Sequence, residues 1–199
     1  NAESIKNIDW WLYIWLDWFI LDLILSAVIF TLIEKFFWNV KNQNIFREWW
    51  FLDLKYFFVN HLLVWIFLIT INFIINNIFS FLIIENIQIY IKELNIIVQV
   101  ILIFLIADFA FYWAHRAYHE RRFLWKVHSI HHSAEKMDWL AWSRLHVIEL
   151  FLTRLLLILP IIFLWFSENA VNAYVVLVSI HSVFIHSNIF VWNSFIDKI

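Results

Sequence analysis

The sequence has no cysteine, no glycine and a single proline in 199 residues. Without cysteine there is no disulfide, no thiolate zinc site and no iron–sulfur cluster. Without glycine there is no Gly-rich loop to cradle a phosphate. Membrane helices usually carry more glycine than soluble ones, so the absence is unusual for either class. Charge is scarce as well. Asp, Glu, Lys and Arg make up 15% of the chain, against about 25% in a typical soluble domain. The net charge is −2 with no basic tract, which argues against nucleic acid as a partner. What the sequence has in excess is apolar: 64% hydrophobic and 21% aromatic residues, with 14 tryptophans. That excludes intrinsic disorder and disfavours an ordinary water-soluble domain.

A membrane span needs about 20 mostly apolar residues. Five stretches qualify, from about Trp10 to Phe30, Phe57 to Ile84, Ile96 to Trp113, Val147 to Phe166 and Ala170 to Val191. The expected fold is therefore all-α, a multi-pass transmembrane bundle of about 4–5 spans. The first stretch is the weakest, because Asp17 and Asp22 would each cost about 2.5–3.5 kcal/mol at a helix centre; lying in the interface is its alternative. Lysine and arginine concentrate in 34–56 and 114–146, whereas 85–95 carries only Lys92. By the positive-inside rule the two basic segments and the C-terminus are expected in the cytoplasm. Residues 1–95 then supply transmembrane or interfacial helices, and 96–199 form a second region that carries most of the histidines.

There are nine histidines, eight of them at or after position 115. His115 and His119 form a His-x-x-x-His pattern, and His128, His131 and His132 a His-x-x-His-His pattern. Helical residues three and four apart share a face, so two such helical ends facing each other would offer five imidazoles to one volume. Imidazole suits zinc, copper, iron and nickel, and not calcium or magnesium, which need oxygen. His186, near the end of the last apolar stretch, is a further candidate ligand. His181 sits five residues earlier, about 140° away on an ideal helix. His146 is a candidate extra ligand or outer partner, and Asp108, two turns before His115, a candidate carboxylate to orient an imidazole. Glu149 and Arg144 are expected to pair with each other or with His146.

The segment DFAFYWAHRAYHERRFLWKVHSIHHS at 108–133, followed by MDWLAWSRLHVIEL at 137–150 and IHSNI at 185–189, resembles the fatty acid hydroxylase/sterol desaturase superfamily of histidine-rich membrane oxygenases. The resemblance covers roughly 108–190. It implies a cytoplasmic cap holding two irons, with zinc as a substitute in purified samples. It implies O2-dependent hydroxylation or desaturation of a lipid C–H bond on a sterol, fatty acyl or related chain. Electrons would come from a separate donor, such as a cytochrome b5-like protein, a ferredoxin or a reductase. By motif, His115, His119, His128, His131, His132 and His186 correspond to metal ligands, with no catalytic residue beyond them. The family pattern also has a later His-x-x-His-His that does not occur here, so the hydroxylase-like region 96–199 is expected to be incomplete at its C-terminal end. Trp142 stands where the family usually has a small residue, and its ring is expected to crowd the cavity. The competing readings are a membrane metal-binding or transport protein and a non-catalytic remnant.

Overall fold

The computed structural model describes residues 20–78 and 85–190. Parts of the first, second and last apolar stretches lie outside those residues. The described chain contains seven α-helices and no named strand. The first, α1, is described over 20–36. It is followed by α2 (Trp50–Ile78), α3 (Glu85–Glu93), α4 (Ile96–Glu120), α5 (Arg122–His128), α6 (Val147–Leu164) and α7 (Glu168–His186). Short 3-10 turns at His131–Ser133 and Ala141–Ser143 interrupt the α5–α6 connection.

Among the described residues, four helices are long and apolar enough to cross a membrane: Trp50–Ile71 within α2, and the whole of α4, α6 and α7. Large apolar side chains stand on their outer surfaces, among them Leu105 at 63% and Phe109 at 67% exposure. In water that exposure would be a liability; in lipid it is the expected solvent-facing surface. Helix α6 runs through Pro160 without ending there. With no glycine in the chain, the left-handed turn that closes α6 falls to Trp165, at φ 56°.

Helix α4 is the central element, packing against α5, α6 and α7, while α6 also meets α2 and α3. Two apolar clusters hold the bundle. Ile103, Ala107, Phe166, Ala170 and Tyr174 fill one half. Phe30, Phe57, Trp139, Leu140 and Val183 fill the other, where α1, α2 and α7 converge on the α5–α6 connection. Buried Gln99 ties the first half together, donating to the Leu94 carbonyl at 2.8 Å and accepting from the Ser167 N–H at 2.8 Å.

Chain direction decides where the chemistry lies. The start of α2, the end of α4, the start of α6 and the end of α7 all meet at one end of the bundle. The basic segments 34–56 and 114–146 lie at that same end. Helix α4 is about 37 Å long at 1.5 Å per residue, more than the roughly 30 Å of a hydrocarbon core. Its last two turns can therefore stand clear of the lipid interior.

Candidate metal centre

Those last two turns carry HRAYH. The i, i+4 spacing stacks His115 and His119, with their Nε2 atoms 3.1 Å apart. Arg121 is extended (φ −102°, ψ 118°) and breaks the helix, and α5 begins directly after it. His128 is the last residue of α5. Beyond it the backbone stays helical through Ser129 and Ile130, so His132, four residues on, returns to the side of His128. His128 Nε2 lies 3.3 Å from His119 Nε2 and 3.1 Å from His132 Nε2, and His132 Nε2 is 3.3 Å from His119 Nε2. One ligand nitrogen from each of His115, His119, His128 and His132 lies within 4.8 Å of all the others.

This spacing fits a metal ion. Metal–imidazole bonds are about 2.0–2.1 Å, so two nitrogens on one ion lie about 2.8–3.4 Å apart for angles between a right angle and the tetrahedral one. Four of the six separations fall inside that range, and those from His115 to His128 and His132 are within 4.8 Å. Two of the rings are also held toward the neutral form that a ligand needs. Burial, helped by the neighbouring imidazoles, pushes His128 down to about 3, and burial with the nearby His119 lowers His132. Both stay neutral at pH 7, as a ligand must.

His131 is set off by one residue, about 100° of helical rotation, and leaves this group. It meets His186 from the end of α7, Nε2 to Nε2 at 3.1 Å. The His131 Nδ1–H donates to the Arg144 carbonyl at 3.2 Å, and the His186 Nδ1–H donates to the Ser182 carbonyl at 2.7 Å. With each proton placed on Nδ1, the two Nε2 lone pairs face each other and cannot form a hydrogen bond. Burial, then the His186 charge, push His131 down to about 4, so a proton does not resolve the conflict at neutral pH. A cation held between the two nitrogens does. No third histidine or carboxylate among the described residues completes a group with this pair. Of the five imidazoles expected in one volume, four form the group and His131 stands beside it, paired with His186; the His128 and His131 ring centres are 5.5 Å apart.

Glu149, in the first turn of α6, accepts from His128 Nδ1–H at 2.7 Å, and both side chains are buried. A carboxylate here fixes the tautomer and turns Nε2 toward the group. Tyr118 stacks on His128 with ring centres 5.3 Å apart, and its hydroxyl reaches Thr153 at 2.9 Å. Changing Glu149 to Gln is expected to weaken metal binding by about 10–100-fold, measured by dialysis against a chelator. Unchanged affinity would remove Glu149 from any role in orienting the site.

Other candidates lie elsewhere. Asp108 is exposed and makes no hydrogen bond to an imidazole among the described residues. His146 caps α6, its Nδ1 accepting from the Ile148 N–H at 3.0 Å. His181 is exposed and outside the group of four. Arg144 and Glu149 do not pair: Arg144 binds Asp53 of α2, and Glu149 binds His128. Trp142 packs edge-on to Phe57 and His61 and makes no ring contact with the six clustered histidines. Trp125 packs 5.3 Å from His119 and 5.5 Å from His132. The sequence reading missed Tyr118, Asp53 and Arg47. The one available signal was a carboxylate, Asp53, in the first turn of an apolar helix.

All six clustered histidines fall within residues 100–199, which match the family model described as fatty acid hydroxylase. The chain belongs to the fatty acid hydroxylase family. An ornithine lipid hydroxylase, OlsE of Rhizobium tropici, is 41% identical over 51 residues, covering 26% of this chain and 15% of that protein. No solved structure matches. Family membership and four apolar spans together make this fatty acid hydroxylase family member an integral membrane protein. Its histidine cluster has the geometry to bind metal.

Proposed function

We propose that the protein catalyses O2-dependent hydroxylation or desaturation of a lipid C–H bond at a histidine-held di-iron centre. The observation that carries this is the set of convergent Nε2 atoms at one membrane-proximal end of the bundle. His115, His119, His128 and His132 would hold one iron, and His131 and His186 would contribute to the second. Iron supplies the O2 chemistry needed to attack an unactivated C–H bond. The protein's own part is to keep the donors aimed. Glu149 holds the proton on His128 Nδ1, and the Arg144 and Ser182 carbonyls do the same for His131 and His186.

Access supports a lipid substrate. His119 and His132 are exposed while His128 is buried, so the group opens on one side. Phe111 stacks on His115, and Trp125 lies against His119, giving an apolar rim for a hydrocarbon chain. A polar cleft of about 680 Å³ opens beside His186, with Asn42, Gln43 and Lys136 among its walls, and suits a polar headgroup. The relative acts on ornithine lipid by its name, which makes an acyl lipid with a polar head the first substrate to try. The basic segments at the histidine end favour a cytoplasmic location by the positive-inside rule. An electron donor of the cytochrome b5, ferredoxin or reductase kind would dock there.

Lipid extracts from expressing cells are expected to contain species that have gained one oxygen or lost two hydrogens, and the purified protein to carry iron. The variant with His119 and His132 both changed to Ala should show neither. A folded parent chain that takes up no iron would overturn the reading.

A further inference from the structure

The histidine pair is joined by hydrogen bonds to a part of the chain outside the matched family region. Asp53, in the first turn of α2, is completely buried. One carboxylate oxygen accepts from Arg144 Nε and the other from Arg47 Nη2, both at 2.5 Å. Arg47 Nη2 also donates to Asp138 Oδ1 at 2.8 Å. The four side chains are all buried, with two positive and two negative charges. Arg144 then acts on both sides of His131. Its carbonyl accepts from His131 Nδ1, and its Nη1 donates to the carbonyl of Ser133 at 3.2 Å. The Ser143 hydroxyl, one residue before Arg144, donates to the Asp53 carbonyl at 2.8 Å. Residues 131–133 and 143–144 are thereby bracketed to the start of α2.

We propose that Asp53 and Arg47 are positioning residues for the His131–His186 pair, acting through Arg144. A buried set of ion pairs is a weak device for stability, since apolar residues of similar volume often serve as well. Its directional bonds are better suited to fixing a backbone carbonyl, and here that carbonyl sets the His131 ring. The group of four is steered separately: His128 takes its orientation from Glu149 of α6. Loss of the Asp53 bracket should therefore damage the pair more than the four, which have one ligand, His132, in the bracketed segment and three outside it. This inference rests on the two-centre reading proposed above.

The test is a titration of the detergent-solubilised chain with Cu(II), which binds imidazole sites more tightly than the earlier first-row ions. It is followed by equilibrium dialysis and by electron paramagnetic resonance. The parent chain is expected to take up two coppers close enough to couple magnetically. Asp53→Asn should weaken the second copper by more than tenfold and abolish the coupling, with a much smaller effect on the first copper's affinity. Arg144→Lys keeps the charge but loses the fork that reaches both Asp53 and Ser133. It should do the same, and decides alone if the Asp53 variant does not fold. Folded variants that keep both coppers, or that lose both in equal measure, would overturn the inference. A parent chain that binds one copper would instead overturn the two-centre reading, and the inference with it.

Discussion

Under the proposed function, replacing His128 by alanine is expected to cost the protein its bound metal and, with it, the lipid oxidation proposed above. No other ring is placed so centrally. His128 Nε2 is within 3.3 Å of both His119 and His132, and its ring centre is 4.8 Å from that of His115 and 5.5 Å from that of His131. It is 1% exposed, so water cannot readily take its coordination position. His119 and His132 are exposed, and solvent can replace either one alone. The loss should exceed the roughly 100-fold that marks the upper end for removing an outer partner of a metal ligand. A second penalty adds to the first. Without His128, Glu149 Oε1 joins Oε2 as a buried oxygen with no partner among the described residues, and an unpaired buried carboxylate is expensive. Iron content and affinity, measured on protein whose helical circular dichroism is intact, decide the matter. Undiminished iron in the His128→Ala protein would show that the four rings do not act together.

Local spacing made much of this legible in the sequence, and distance in the chain hid the rest. Three of the four spanning helices begin within three residues of the expected positions, at Ile96, Val147 and Glu168, because each is marked by an apolar run and a polar flank. The pairing of His115 with His119 follows from four-residue periodicity alone. That periodicity also joins His128 to His132, yet it gives no warning that His131 leaves them. The partner that takes His131 is 55 residues away. Glu149 stands 21 residues from His128, and Asp53 stands 91 from Arg144. A polar residue in an apolar helix can be flagged as costly from the sequence. Which charge meets it depends on how helices from separate segments come together, and no local pattern carries that information. Arg144 and Glu149, neighbours in the sequence, are expected from it to pair with each other or with His146. The bundle sends one toward α2 and the other toward α5.

Asp53 gives the second large effect, and it separates stability from positioning. Changing Asp53 to Ala leaves Arg47 and Arg144 buried with Asp138 as the remaining carboxylate of the set. Removing one member of a buried ion cluster typically costs about 3–5 kcal/mol, a large part of a typical folding free energy. The cost should appear as a shift in unfolding when the protein is titrated with denaturing detergent in mixed micelles. Changing Asp53 to Leu and Arg144 to Met together removes one charge of each sign and leaves the Arg47–Asp138 pair, whose bond is 2.8 Å long. Most of the lost stability should return, because well-packed apolar groups commonly replace buried ions at little or no cost. With the Asp53→Leu and Arg144→Met single variants measured alongside, the double-mutant cycle gives the coupling between Asp53 and Arg144. The Arg144 guanidinium would still be missing, and Ser133 would have lost its Nη1 contact, so the His131–His186 pair should stay impaired in the restabilised protein. A double variant that recovers stability and metal pairing together would mean that the buried charges serve only to hold the fold.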